Sequence, residues 1–192
     1  MLKIKAKIDE SINYIRTKTD VVPEIAIVLG TGLGALVNQV SDKLEIHYSE
    51  IPNFPASTVE THAGTLVFGI IGNKRVVIMN GRLHYYEGYS MEEVVFPTRV
   101  LRSLGCEVLF VTNASGGINR TFNAGDFMAI TDHINMMGTH PLIGPNDDRF
   151  GVRFPDMSEA YDRGLLALAE KTAKALGITL RKGVYIAVTG PS

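Results

Sequence analysis

Residues 25–34 read Ile25-Ala26-Ile27-Val28-Leu29-Gly30-Thr31-Gly32-Leu33-Gly34, an apolar run that leads directly into a glycine-rich turn. The pattern recurs where residues 76–79 lead into 80–84, residues 108–111 into 112–117, and residues 184–188 into 189–192. Short runs that are apolar throughout are typical of strands covered on both faces, as in α/β sheets with helices on either side. These four runs therefore predict the core strands of an α/β fold.

A hairpin signal adds an antiparallel pair to this pattern. The dipeptide Gly72-Asn73 separates two apolar runs at 66–71 and 76–79, which is typical of two antiparallel strands joined by a tight turn. We therefore predict a mixed, largely parallel central sheet flanked by helices on both faces. Residues 1–192 are expected to form a single α/β domain, incomplete at its C-terminal end.

Three segments carry helix signals. Ser90 and Glu93 match a capping box, and Pro97 inside the same segment is expected to kink the helix or shift its start. Another helix is predicted over about 159–176, with a stop at Gly177. The third segment lies at the N-terminus, where an apolar stripe at helical spacing is made of Ile4, Ile8, Ile12 and Ile15.

Composition excludes several classes of protein. The 192 residues include 19 basic and 20 acidic side chains, for a net charge of -1, so no basic patch points to nucleic acid as a partner. No apolar run approaches the roughly 20 residues needed to cross a bilayer, and the charged N-terminus does not resemble an export signal. The single cysteine, Cys106, is expected to be a packed thiol. We expect a soluble protein of the reducing cytoplasm.

The turns that follow the predicted strands share an unusual set of polar residues. Ligands of open α/β sheets bind beyond the carboxyl ends of the strands. These ends carry glycines, hydroxyls and amides, together with Arg82 and His84. Glycine lets backbone N–H groups approach an oxyanion, and arginine supplies charge-assisted hydrogen bonds. The turns therefore predict a pocket for a phosphate-sized anion.

Other site types fit less well. Residues 30–35 match a dinucleotide fingerprint, but a tight strand-to-helix turn gives the same pattern, and no G-K-[ST] follows for a Walker loop. Ser115 is not in a G-x-S-x-G elbow, which argues against a hydrolase nucleophile. His62 alone fits a structural donor as well as a ligand. No metal-binding spacing is found among the histidines, which are His47, His62, His84, His133 and His140.

The combined motifs resemble the trimeric purine nucleoside phosphorylases over nearly the whole chain and in collinear order. The matching runs are Leu29-Gly30-Thr31-Gly32-Leu33-Gly34, His62-Ala63-Gly64, residues 81–89, residues 111–119, Asp132-His133-Ile134-Asn135, residues 144–150 and Gly190-Pro191-Ser192. This resemblance implies that inorganic phosphate attacks C1' of a purine (2'-deoxy)ribonucleoside, giving the free base and a pentose 1-phosphate. It implies no metal and no organic cofactor, because phosphate is the co-substrate.

The resemblance also assigns roles to residues at matching positions. It implies that phosphate is bound by Thr31, Arg82, His84 and the backbone N–H of Ala114, with His62 close by. It also implies that Tyr86 contacts the ribose 3'-hydroxyl and that Tyr185 lies beside the nucleoside. Phe150 would cover a neighbour's sugar across a homotrimer interface, and Glu87 and Asn113 would support the pocket.

This chain departs from the family pattern at its C-terminus. It stops at Ser192, before the segments that bind the purine base in that family. We expect a fragment of a longer product or a chain completed by another. Two other functions stay open: a methylthioadenosine phosphorylase, which shares the fold and the phosphate chemistry, and a truncated, noncatalytic subunit that binds phosphate.

Overall fold

The structure is a computed structural model that describes residues 2–55 and 63–190. The chain divides into two compact units, residues 1–114 and residues 115–192. The single-domain organisation expected for residues 1–192 stays a prediction. Within the described ranges, no helix combines the length and the apolar character needed to cross a membrane.

A five-stranded mixed sheet forms the centre of the first unit. Its strands are β1 (Ile25–Val28), β2 (Ser41–His47), β3 (Thr65–Ile71), β4 (Lys74–Asn80) and β5 (Val108–Val111), in the spatial order β2-β3-β4-β1-β5. The β2–β3 and β3–β4 pairs are antiparallel, whereas β1 pairs in parallel with both β4 and β5. The mixed α/β fold predicted from the sequence is therefore confirmed.

The predicted hairpin is the β3–β4 pair. Its strands meet at the register pair Ile71 and Lys74, and Gly72 between them has a positive φ of 62°. Glycine adopts this conformation without steric cost, which explains why the turn falls here.

The middle of this sheet is covered on both faces. Consecutive residues of a strand point to opposite faces, and Leu66, Val67 and Phe68 of β3 are all essentially inaccessible to solvent. Val67 belongs to a buried cluster whose other members are Leu29, Val37, Val40, Val76 and Ile78. Val37 comes from a 3-10 helix, Gly34–Gln39, that directly follows the turn after β1. The glycine-rich turn is therefore anchored at both ends, by β1 and by this helix.

Two helices in the first unit pack against each other. They are α1 (Leu2–Lys18), in which Ile8 and Ile15 are fully buried, and α2 (Met91–Ser103). Ser11 of α1 donates a hydrogen bond of 2.6 Å from its hydroxyl to the carbonyl of Pro52, which fastens α1 to the loop after β2. The apolar stripe predicted for the N-terminal helix therefore marks its buried face.

The α2 helix begins as its capping box predicts. The Ser90 hydroxyl accepts from the Glu93 N–H, and the Glu93 carboxylate accepts from the Ser90 N–H at 2.8 Å. Pro97 lies inside the helix, which begins at Met91 all the same, so the expected shift of its start is wrong. The cap gives hydrogen-bond partners to two backbone N–H groups that the helix itself cannot satisfy. This stabilises the first turn of the helix, before Pro97.

Cys106 follows α2 and is buried, as the sequence indicated. Burial raises the pKa of its thiol to about 11, and the group therefore stays protonated at neutral pH.

The second unit contains a two-stranded parallel sheet and one helix. The strands are β6 (Phe127–Asn135) and β7 (Leu180–Ala187), and the helix is α3 (Arg163–Ala175), which contacts both strands. The helix begins four residues later than predicted because the Asp162 carboxylate caps it, accepting from the Leu165 N–H at 2.7 Å. It ends at the predicted stop, where Gly177 has a φ of 69°.

Two of the predicted core strands are only partly covered. Phe110 of β5 is 56% exposed and Val184 of β7 is 53% exposed, in contrast to the buried middle strands of the first sheet. In the described residues β5 is an edge strand, and the exposure of β7 alternates along its length. Such alternation is typical of a sheet that packs against a helix on one face only.

Replacing Gly69 by alanine should destabilise the first unit. A Cβ at this position of β3 would collide with the Val40 side chain and the Ser41 carbonyl oxygen, and Ser41 cannot retreat without breaking the β2–β3 pair. We expect a loss of about 2 kcal/mol or more in the free energy of unfolding, measured by urea denaturation. The matched control is Gly116→Ala, where a Cβ meets nothing within 4 Å. Equal midpoints for the two variants would contradict the packing described here.

Candidate functional site

Three turns of the first unit begin at the same level of the sheet. In the register of the parallel strands, Val28 of β1 lies opposite Met79 of β4 and also opposite Val111 of β5. The turns that start after residues 29, 80 and 111 therefore leave the sheet side by side, at the carboxyl ends of neighbouring strands. This edge is where open α/β sheets bind ligands.

The turns after β1 and β5 are in direct contact. The Gly30 N–H donates to the Thr112 hydroxyl at 2.8 Å, and the Thr112 N–H donates to the Val28 carbonyl at 3.0 Å. A Cβ on Gly30 would lie 2.8 Å from the Cα of Asn113, which is closer than real Cβ contacts allow. Glycine is therefore required at position 30 by the neighbouring backbone. Thr31 and Ala114, which are next along the two turns, are both exposed.

The turn after β4 joins the same group through Arg82. Its Nη1 donates to the Thr112 carbonyl at 2.6 Å, and its Nε lies 3.4 Å from Nε2 of His84. The Arg82 side chain therefore crosses from its own turn to the turn after β5. The structure brings Arg82 and His84 together and fastens both to the loop that contains Ala114.

A carboxylate holds His84 in place. Oε1 of Glu87 lies 2.8 Å from His84 Nδ1 and accepts at 2.8 Å from the His84 backbone N–H. The Glu87 side chain is only 3% exposed and that of His84 is 19% exposed. A carboxylate can only accept and a guanidinium can only donate, so neutral His84 carries its proton on Nδ1 and accepts from Arg82 at Nε2.

Tyr86 stacks on the imidazole of His84. The two ring centroids are 4.8 Å apart with an angle of 16° between the planes. Tyr86 belongs to a 3-10 helix, Tyr85–Glu87, that places the Glu87 carboxylate on His84 and the Tyr86 ring over it. Tyr86 as a whole stays 47% exposed. This geometry presents a phenol beside the imidazole at the open side of the turn.

Tyr48 supports the turn from inside the protein. Its hydroxyl donates to the Gly81 carbonyl at 2.7 Å, and its backbone N–H donates to the Gly64 carbonyl at 2.8 Å. Tyr48 is almost fully buried, and this burial raises the pKa of its phenol. Gly81, just before Arg82, and Gly64 are thereby both bonded to Tyr48, the first through its side chain and the second through its backbone. His62 itself lies outside the described residues.

Sequence reasoning did not single out Thr112 or Tyr48. Thr112 lies in the predicted turn at 112–117 without a signal of its own, and Tyr48 lies in a stretch without any motif. Both act through hydrogen bonds to residues more than 30 positions away, such as Thr112 with Gly30 and Tyr48 with Gly81. A single sequence carries no periodic signal for contacts of this kind.

The remaining predicted residues are less connected. The Asn113 side-chain amide reaches the Ala114 carbonyl only at 3.5 Å. In the second unit, Tyr185 is half-buried on β7 opposite His133, and the Phe150 ring lies 5.4 Å from the Arg149 guanidinium carbon. Their roles in a nucleoside site stay predictions. The described residues contain no group of three or more His, Cys, Asp or Glu side chains that could hold a metal ion.

Sequence comparison matches residues 24–192 to the Phosphorylase superfamily. Purine nucleoside phosphorylase 1 of Bacillus subtilis is 55% identical over 189 residues, which are 98% of this chain and 70% of the relative. The corresponding protein of Geobacillus stearothermophilus is 52% identical, over 98% of this chain and 69% of the relative. Purine nucleoside phosphorylase of Bos taurus is 49% identical, over 95% of this chain and 65% of the relative.

Structure comparison gives the same family. A purine nucleoside phosphorylase from Schistosoma mansoni in complex with acetate superimposes with a TM-score of 0.93 at 44% identity, over 97% of this chain and 71% of that one. A purine nucleoside phosphorylase in complex with ribose-1-phosphate superimposes with a TM-score of 0.92 at 44% identity, over 97% and 71% of the two chains. On sequence and fold together, this chain belongs to the phosphorylase superfamily and, within it, to the purine nucleoside phosphorylases.

Proposed function

We propose that this protein catalyses the phosphorolysis of purine nucleosides. Inorganic phosphate attacks C1' of the pentose, the glycosidic bond to the purine breaks, and the products are the free base and a pentose 1-phosphate. The observation that carries this proposal is the convergence of three strand-end turns on Arg82 and His84, through the contacts of Arg82 with Thr112 and with His84. Binding of ribose-1-phosphate and of adenosine by structurally similar enzymes fits both sides of this reaction.

The chemistry follows from the charge that develops on the sugar. As the glycosidic bond stretches, the pentose gains oxocarbenium character, as it does in glycoside hydrolysis. A phosphate held below C1' stabilises that positive charge and is also the nucleophile. The protein's task is therefore to fix the anion in position, and the reaction needs no organic cofactor. Phosphate is the co-substrate.

Directed donors at the three turns would hold this phosphate. Arg82 offers charge-assisted hydrogen bonds from a planar guanidinium. Thr31 offers a hydroxyl from the turn after β1, and Ala114 offers a backbone N–H from the turn after β5. His84 lies beside Arg82, with Glu87 fixing the orientation of its ring. His62 completes the proposed set of phosphate ligands.

The pentose would lie against Tyr86. The stack on His84 holds the Tyr86 ring next to the proposed anion site, and its half-exposed phenol can donate to the ribose 3'-hydroxyl. Asn113 would support the pocket, and Tyr185 would contribute to nucleoside binding. Phe150 would cover the sugar of a neighbouring subunit in a cytoplasmic homotrimer.

Cleavage of inosine or guanosine by the purified protein should require phosphate. The proposed phosphate ligands place phosphate, not water, at C1'. The measurement is release of hypoxanthine from inosine, followed in a coupled xanthine oxidase assay with and without inorganic phosphate. Equal release in phosphate-free buffer would instead identify a hydrolase, and phosphate binding without any release would identify a noncatalytic subunit.

Replacing Arg82 by alanine should raise the KM for phosphate by about tenfold to hundredfold, since hydrogen bonds to charged groups contribute about 1.5–3 kcal/mol. The KM for the nucleoside should change much less. Arg102→Ala is the matched control, because Arg102 also donates to a backbone carbonyl, that of Cys106 at 2.9 Å, at the end of α2. An unchanged KM for phosphate in the Arg82 variant would mean that this arginine has only a structural role.

Replacing Tyr86 by phenylalanine should weaken the reaction with the nucleoside and leave phosphate binding unchanged. Phenylalanine keeps the stack on His84 and loses only the hydroxyl, so kcat/KM for the nucleoside should fall by about threefold to tenfold, the usual value of a neutral hydrogen bond. The KM for phosphate should stay near that of the unmodified protein. Tyr85→Phe, at the neighbouring position, is the control. With a 3'-deoxynucleoside as substrate, the Tyr86→Phe variant and the unmodified protein should have the same kcat/KM. A remaining difference would contradict the assigned contact.

A further inference from the structure

We propose that Thr112 is a positioning residue for the phosphate site: its hydroxyl fixes the turn that carries Thr31, and its carbonyl orients the guanidinium of Arg82. This inference rests on the proposed function, because it names the residue that assembles the anion site. Thr112 itself is half-buried, and its hydroxyl and carbonyl are both bonded within the protein, to residues of the other two turns.

The orientation of the Thr112 hydroxyl is fully determined by its neighbours. A backbone N–H can only donate and a carbonyl can only accept. The hydroxyl therefore accepts from the Gly30 N–H at 2.8 Å and donates its one proton to the Val28 carbonyl at 2.9 Å. Both partners belong to the end of β1 and its turn. The hydroxyl thus bridges the last residue of β1 and the residue immediately before Thr31.

The backbone of Thr112 makes two further bonds at the same place. Its N–H donates to the Val28 carbonyl at 3.0 Å, and its carbonyl accepts from Arg82 Nη1 at 2.6 Å. One residue therefore contacts the turn after β1, carries the turn after β5, and holds the arginine from the turn after β4.

Side-chain chemistry at this position also favours a rigid connection. A β-branched side chain has few χ1 rotamers, so the Thr112 hydroxyl is held where Gly30 needs it. Gly30 can come this close only because it lacks a Cβ. Anion and catalytic sites lose function when their donors move by about 0.5 Å. Removal of the hydroxyl would release the Gly30 N–H and let the Thr31 turn move away from Arg82 and Ala114.

The test compares Thr112→Val, which has nearly the same shape without the hydroxyl, with Thr112→Ser, which keeps it. The KM for phosphate should rise about tenfold to hundredfold in the valine variant, the range expected when a partly buried donor loses its partner, and the KM for the nucleoside should stay within about threefold. The serine variant should remain within about threefold of the unmodified protein for both substrates. Thr17→Val is the control, because it removes a hydroxyl bonded to a backbone carbonyl, that of Tyr14 at 2.6 Å, in α1.

An unchanged KM for phosphate in Thr112→Val would overturn the inference. So would an equal rise in both KM values, or a fall in kcat alone that follows a lower melting temperature, because each of these indicates general structural damage. If the valine variant does not fold, Thr112→Ala provides the same comparison, since the space it leaves lets water reach the Gly30 N–H.

Titration calorimetry with inorganic phosphate separates this inference from the proposed function. If the unmodified protein binds phosphate but does not need it for cleavage, the proposed function fails, while weaker phosphate binding by Thr112→Val still supports the positioning role. If the unmodified protein binds no phosphate, both proposals fail.

Discussion

The close approach of two backbones, at Gly30 and at residues 112–113, is the constraint on which the rest of the site depends. It requires β1 and β5 to be parallel neighbours in a register that sets Val28 against Val111. It also requires a residue without a Cβ at position 30 and a hydroxyl at position 112. With these in place, Arg82 from the turn after β4 donates to the Thr112 carbonyl at 2.6 Å. A shift of one residue in the pairing would separate the turns and leave Arg82 without this support.

Features with a local cause could be predicted from the sequence. The α2 cap depends on Ser90 and Glu93, three residues apart, and the β3–β4 turn depends on Gly72, so both signals lie within a few residues. Apolar runs likewise marked the strands. They gave no information on which residues cover each strand. Cover depends on residues distant in the chain, and in the second unit α3 is the helix that contacts β7.

The candidate site shows the same division between local and distant causes. Glycine, hydroxyl and arginine at strand ends were enough to predict an anion pocket, and the structure brings Arg82 and His84 together as that prediction requires. However, the sequence suggested that Gly30 is there to let an anion approach, whereas the structure shows a second and sufficient reason, its contact with Asn113. The role of Thr112 was not visible, because it consists of bonds to residues 28, 30 and 82 that only the folded sheet brings together.

Charge alone would select phosphate poorly in this protein. The whole chain has a net charge of -1, so it produces no attractive field for anions at long range. Close to the site, the positive charge of Arg82 and the negative charge of Glu87 both act on the same imidazole and partly cancel. The anion must therefore be held by donors aimed at its oxygens over short distances, where an N–H contributes only if its direction is right. In a site of this kind a residue that fixes direction, as Thr112 does for Arg82, determines affinity as much as the residues that contact the ligand.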